Sequence, residues 1–190
     1  MIQKQTPVAP LEVCLHFDNF GRYIVENKMG REITKKQTLE VLKKAADSGL
    51  VHAVSNWKKD PDTICNCCSC CCLFFEAYHQ LNHHKSVDPS HYTISVSTQT
   101  CKACGMCVEK CPMDVLTLDH HPMSENKKKM APIAEKEKCL GCGVCVHACP
   151  TGSLDLIPSE NLSEPPENPG DWVKSFFKDK KTGAKYKKST

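Results

Sequence analysis

Aromatic residues make up only 6% of this 190-residue sequence, which excludes a large aromatic core. No stretch approaches the roughly 18 apolar residues of a membrane span, so no span is expected. The opening MIQKQTPVAPLEV has no apolar run behind a basic start, unlike a secretory leader. We therefore expect a cytoplasmic, reducing setting. Net charge is +3, too little to imply nucleic acid by itself. What the sequence has in excess is cysteine, 15 residues in all. In a reducing compartment such a density points to metal more than to disulfides.

The chain divides into a region to about residue 90, a second from 91 to 158, and a linker with a basic tail from 159 to 190. The pattern is α+β. In the first region, residues 34–48 read as a helix. Thr34 and Gln37 fit a capping box, Leu39, Leu42 and Ala46 recur at helical spacing, and Gly49 suits the left-handed C′ position. A strand is expected over 50–54. An earlier helix is expected over 19–28, with Phe20, Tyr23, Ile24 and Asn27 on one side. The plain reading of these apolar positions is core packing. Residues 159–170, SENLSEPPENPG, read as a linker without apolar period. The tail that follows has seven lysines against two aspartates. Trp172, Val173, Phe176 and Phe177 form a short amphipathic turn or two within it. A solvated tail is the ordinary reading. Docking on an acidic partner is the sharper one, and weak membrane-surface association ranks last.

The second region holds a duplication. Cys101-x-x-Cys104-x-x-Cys107-x-x-x-Cys111-Pro112 recurs 38 residues later as Cys139-x-x-Cys142-x-x-Cys145-x-x-x-Cys149-Pro150. A [4Fe–4S] cubane needs four thiolates in tetrahedral directions. Three can come from one looping C-x-x-C-x-x-C segment. The fourth cysteine is turned away by the fixed φ of the following proline and serves the other cluster, as in the two-cluster bacterial pattern. This assigns Cys101, Cys104, Cys107 and Cys149 to one cluster, and Cys139, Cys142, Cys145 and Cys111 to the other. Gly105, Gly141 and Gly143 would let backbone N–H groups approach the cluster. Zinc is the rival, but it explains neither the third cysteine of each copy nor the two Cys-Pro pairs.

On these two motifs, CKACGMCVEKCP and CLGCGVCVHACP, residues 90–158 resemble the bacterial two-[4Fe–4S] ferredoxins. The resemblance implies a ferredoxin-like βαββαβ fold with one-electron transfer between two clusters. Short strands are expected over 92–97, 115–118 and 154–157. The excursion DHHPMSENKKKM is longer than that family needs and reads as a surface loop.

Seven cysteines remain. Six fall in eight residues, CNCCSCCC: Cys65, Cys67, Cys68, Cys70, Cys71 and Cys72. Adjacent Cα atoms are about 3.8 Å apart, too close for ordinary disulfides. No regular backbone aims six sulfurs one way, so either an irregular loop holds an additional iron–sulfur cluster of unknown type or the cysteines divide between two clusters or faces. Zinc and redox-active thiols are the alternatives. Cys14, His16, His79, His83 and His84 could complete the site, with His79 and His83 sharing a helix face. The ordinary reading of each histidine is an exposed polar residue. The stretch GREITKKQTLEVLKKAADSGLVHAVSN with ICNCCSCCC also looks like a module found before ferredoxin domains in iron–sulfur proteins of anaerobes. That likeness covers residues 11–90, a mostly helical cysteine-rich part, and implies shared cofactor-binding architecture more than a reaction.

Three functions follow, in order of preference. The first is a multicluster electron carrier serving a redox protein partner, an oxidoreductase. The second is a reductase, or a subunit of one, with the CNCCSCCC cluster as its active site. The third is a redox sensor reading DNA through Lys35, Lys36, Lys43 and Lys44, although surface lysines are usually a solvated face. Catalytic residues are not readable from the sequence.

Overall fold

The computed structural model describes residues 9–84, 86–160 and 164–181. Helices and small antiparallel sheets alternate in an α+β architecture. The start of the opening stretch, residues 1–8, and the lysine-rich end of the tail, residues 182–190, lie outside the described residues.

Strands β1 (Leu15–His16), β2 (Val51–Val54) and β3 (Thr63–Cys67) form one sheet in the order β1-β3-β2. Helices α1 (Asp18–Glu26) and α2 (Lys35–Asp47) lie between β1 and β2 in the chain, and α3 (Leu73–Gln80) follows β3. Helix α2 starts as expected. Thr34 Oγ1 accepts from the Gln37 N–H at 3.3 Å, and Gln37 Oε1 accepts from the Thr34 N–H at 2.8 Å. Such a cap is worth about 1 kcal/mol. Gly49, at φ 74°, ends it in the left-handed region.

The covered side of α2 is not the one expected. Ala45 is buried and Val41 packs against the same cluster, while Leu39 is 58% exposed. Positions 41 and 45 share a line along the helix, and Leu39 lies well round from it. Helix α1 departs further. It buries no residue, and Phe20 and Tyr23 are 40% and 54% exposed. Its packing partner is β1, whose two residues are too small a platform to cover a helix face. Phe20 instead meets the His16 ring edge-on at 4.6 Å.

The second region runs β4 (Tyr92–Val96), α4 (Met106–Lys110), β5 (Leu116–His120), β6 (Met130–Ala134), α5 (Val144–His147), β7 (Leu154–Pro158). The outer strands pair, Ile94 opposite Leu156, and the inner strands pair, Leu118 opposite Pro132. Ile94, Val115, Leu116, Leu140, Val144 and Leu154 form its core, and Val51 and Phe75 of the first region join them. No helix among the described residues is long and apolar enough to cross a membrane.

Two segments are more ordered than their composition predicts. In the excursion, Asn126 Nδ2 donates to the Cys101 carbonyl (2.9 Å) and the Met130 carbonyl (2.7 Å), and Ser124 is 1% exposed. The excursion is thus a brace against the first cysteine loop. The linker is held too. The Lys58 and Lys59 N–H groups donate to the carbonyls of Pro166 and Glu167, both at 3.0 Å, and Lys58 Nζ meets Glu164 at 2.6 Å. Beyond it, the tail forms α6 (Pro169–Lys181), longer than the expected turn or two, with Trp172, Val173 and Phe177 exposed.

Candidate metal centres

Strand pairing sorts the duplicated cysteines. Because the first strand of the region pairs with the last, the end of the second copy returns to the start of the first. The Ser97 N–H donates to the Ser153 carbonyl at 2.8 Å, and Thr100 Oγ1 to Ser153 Oγ at 3.0 Å. The inner hairpin likewise returns the chain, with the Glu135 N–H on the Val115 carbonyl at 2.9 Å. Two cavities result. One is lined by Cys101, Cys104, Cys107 and Cys149, with Leu118, Pro132 and Leu154 in its wall. The other is lined by Cys111, Cys139, Cys142 and Cys145, with Ile94, Val115 and Leu140. Each holds about 320 Å³ of unfilled space, part of it open to solvent. Four thiols converging on one cavity from a loop and a distant Cys-Pro is a donor set that fits a four-thiolate cluster.

The loops repeat in detail. The Ala103 N–H donates to Cys101 Sγ, and the Gly141 N–H to Cys139 Sγ, both at 3.4 Å. Both residues have positive φ, 51° and 62°. Only Gly141 also needs the missing Cβ, which would collide with the Tyr92 carbonyl and Ser90 Oγ. Ala103 was not singled out by sequence, although the 38-residue offset aligns it with Gly141. Ser153 and Thr151 were missed as well, since nothing in a lone Thr-Gly-Ser marks it as a sulfur partner.

The two cavities differ electrostatically. Burial pushes the Cys145 thiol up to about 12, with Cys142, Cys111 and Cys139 adding to it. Burial likewise raises Cys142 and Cys107, partly offset by N–H bonds from Val144 and Val108 respectively. At Cys149 burial also opposes ionisation. Hydrogen bonds from the Thr151 hydroxyl and the N–H groups of Thr151, Ser153 and Leu154 outweigh it and hold the thiol below its ordinary range. A bound cation would reverse the upward shifts, because it favours the thiolate.

The CNCCSCCC run is not an irregular loop. Cys65 and Cys67 lie in β3, residues 69–71 form a turn, and Cys72 is the N-cap of α3. Cys68, Cys70 and Cys71 bring their sulfurs within 4.8 Å of one another, and no histidine belongs to that group. Cys68 is buried and Cys71 exposed. Burial, then Cys72, pushes Cys67 up to about 12. Hydrogen bonds to Cys70 and Cys68 push Cys71 to about 11. Of the histidines considered as ligands, His79 Nε2 donates to the Pro112 carbonyl at 3.2 Å. His16 pairs with Thr63 at 3.2 Å, and His84 stacks edge-on to Tyr78 at 4.7 Å. His83 lies beyond the end of α3, so it shares no helix face with His79.

Residues 100–153 match the family model described as the 4Fe-4S dicluster domain, which supports an iron–sulfur, ferredoxin-like domain in this part of the chain. No curated protein matches the chain.

Proposed function

We propose that this is a multicluster iron–sulfur electron-transfer protein. Its ferredoxin-like domain, residues 91–158, binds two [4Fe–4S] clusters, and the preceding module, residues 1–90, binds a further iron–sulfur cluster through the CNCCSCCC cysteines. The observation that carries this is the sorting of eight cysteines into two cavities of four, in the crossed combination that the spacing predicts. Cys101, Cys104, Cys107 and Cys149 are then one ligand set, and Cys139, Cys142, Cys145 and Cys111 the other. The clusters supply reversible one-electron chemistry when bound. The chain's own residues hold them apart from water on one side and near the surface on the other.

Cys67 and Cys72 pack against the apolar core that holds Cys111 and Cys145, and Cys107 of the other set as well. Helix α3 is pinned to the same place by His79 on Pro112. The set containing exposed Cys104 faces outward. We read this as an order, with the additional site and the surface separated by the buried set, and with a redox protein partner docking at the Cys104 side. Helix α6 is a candidate docking segment for an acidic partner. The assignment to the cytoplasm is part of the same proposal. A reductase role has one observation in its favour: Cys71 is exposed, so a small molecule can reach the run.

Iron and acid-labile sulfide per chain, with EPR of the reduced protein, test the reading. About twelve irons are expected. About eight would remove the additional cluster, and fewer than about eight would remove the ferredoxin assignment. Catalytic reduction of a small molecule, lost on substitution within the CNCCSCCC run, would favour the reductase.

A further inference from the structure

We propose that the cysteine run serves two separate metal sites. Cys14, Cys65, Cys67 and Cys72 hold the additional iron–sulfur cluster, and Cys68, Cys70 and Cys71 hold one thiophilic divalent cation with a coordination position open to solvent. The first half rests on the additional-cluster reading above, and the second half does not.

Strand geometry makes the division. Alternate residues of a strand face opposite sides, so Cys65 and Cys67 share one side of β3 while Asn66 faces the other. Asn66 is buried there, donating from Nδ2 to the Val13 carbonyl. Cys68 follows it to that side and packs with Val13, Ala45 and Leu50. Cys67 and Cys72 pack instead against the core of the cluster domain. The β1–β3 register pairs Leu15 with Ile64 and His16 with Thr63. Continued by one residue, it sets Cys14 against Cys65, and residues directly opposite in an antiparallel pair project to the same side. The thiols interact accordingly. Cys67 lies in electrostatic reach of Cys65 and Cys72, and Cys14 of both strand cysteines. Cys71 interacts with Cys70 and Cys68.

Size then assigns the occupants. Thiolates about 2.3 Å from one tetrahedral ion stand roughly 3.8 Å apart. Cys68 and Cys70 sulfurs are 2.7 Å apart, and those of Cys70 and Cys71 3.4 Å. Ligands of a cubane surround a core of four irons and four sulfides and must stand wider. Among the described residues, Cys68, Cys70 and Cys71 alone form a group with all ligand atoms within 4.8 Å. The two cavity sets of the ferredoxin-like domain do not, and neither does the Cys14 set. By this standard the Cys68 set is ion-sized, and the Cys14 set is assigned to the cluster by its place on the other side of β3, against the core of the cluster domain. Three thiolates leave a soft d¹⁰ cation such as zinc one open position, on the side where Cys71 is exposed.

The test uses full-length protein, purified anaerobically with its clusters and titrated with Cd²⁺, while iron, sulfide and bound cadmium are counted per chain. The wild type is expected to hold about twelve irons and to take up one Cd²⁺ without losing iron. Cys14→Ala should fall to about eight irons and still bind cadmium, with Cys65→Ser behaving alike. The eight retained irons report that the fold is intact. Cys71→Ala should keep about twelve irons and lose cadmium affinity by more than about 100-fold, since even outer-shell changes cost about 10–100-fold. Iron lost from both Cys14→Ala and Cys71→Ala would overturn the division in favour of one shared assembly. Retention of about twelve irons in Cys14→Ala would overturn its ligand set. About eight irons in the wild type itself would sink the additional-cluster reading and the Cys14 set with it. Failure of the wild type to bind cadmium would overturn the single-ion site.

Discussion

Cys149 and Cys145 belong to the same repeat and live in different surroundings. Around Cys149 stand a hydroxyl and three N–H groups, and its cavity reaches the surface at Cys104. Around Cys145 stand apolar side chains and other thiols. The first cavity is further tied to the hairpin loop through Asn126. The second is closed by Gly141 against Tyr92, and its helix α5 touches α2 through His147 on Asp47 at 3.0 Å. Identical ligand spacing has been given one set with several donors to Cys149 and an exposed cysteine, the outward one, and one set with no exposed cysteine, the inward one. Donors to sulfur and exposure tune cluster potential, so the outward cluster should be the easier to reduce.

The largest effect should come from Gly141→Val. Ala103 shows that an L-residue tolerates the left-handed φ in this loop, so collision with the Tyr92 carbonyl decides the outcome. Displacing that backbone is expected to empty the inward cavity, leaving about four fewer irons, whereas Ala103→Gly should keep them all. Equal losses from both would break the comparison. Asn126→Ala comes next. It removes the Asn126 donor from the Cys101 carbonyl and one of two side-chain donors from the Met130 carbonyl, where the Ser124 hydroxyl remains, at about 1–3 kcal/mol, read as a lowered melting temperature with iron content unchanged at low temperature.

Thr151→Val should be smaller. A hydrogen bond of about 1 kcal/mol corresponds to about 40 mV for a one-electron couple. One cluster potential should fall by that order in a redox titration while the other stays, and equal shifts in both would count against the asymmetry. Asp47→Asn should be smallest. Lys43 first, then His147, hold this exposed carboxyl below its ordinary value of 3.8. Its contribution is therefore present above that pH and is lost as pH falls through the lower folded value. Wild type and variant should differ slightly at neutral pH in urea midpoint and converge in acid.

The parts legible in the sequence were those coded locally. Thr34 with Gln37 announced a helix start, Gly49 its stop, and the Cys-x-x-Cys spacing its loops. What escaped depends on distant partners. The apolar residues of α1 carry a core-like pattern, but only a two-residue strand lies under them. Asn126 looks like ordinary loop polarity until Cys101, 25 residues away, is beside it. Strand β3 was hidden because its residues include cysteines whose spacing reads as metal ligation, while their backbone is an ordinary ladder partner of β2, Ala53 opposite Cys65 and Val51 opposite Cys67.

The brevity of β1 bears on how the Cys14 set closes. Three cysteines of the Cys14 set are encoded within one short stretch, but Cys14 waits about 50 residues upstream, and joining it closes a loop whose cost grows only logarithmically. Two paired residues and the Asn66 contact to Val13 hold that closure. On the proposed ligand set, the segment around Cys14 would act as a clasp across β3. Metal loading and clasping reinforce one another, since whatever binds the closed form alone also stabilises it.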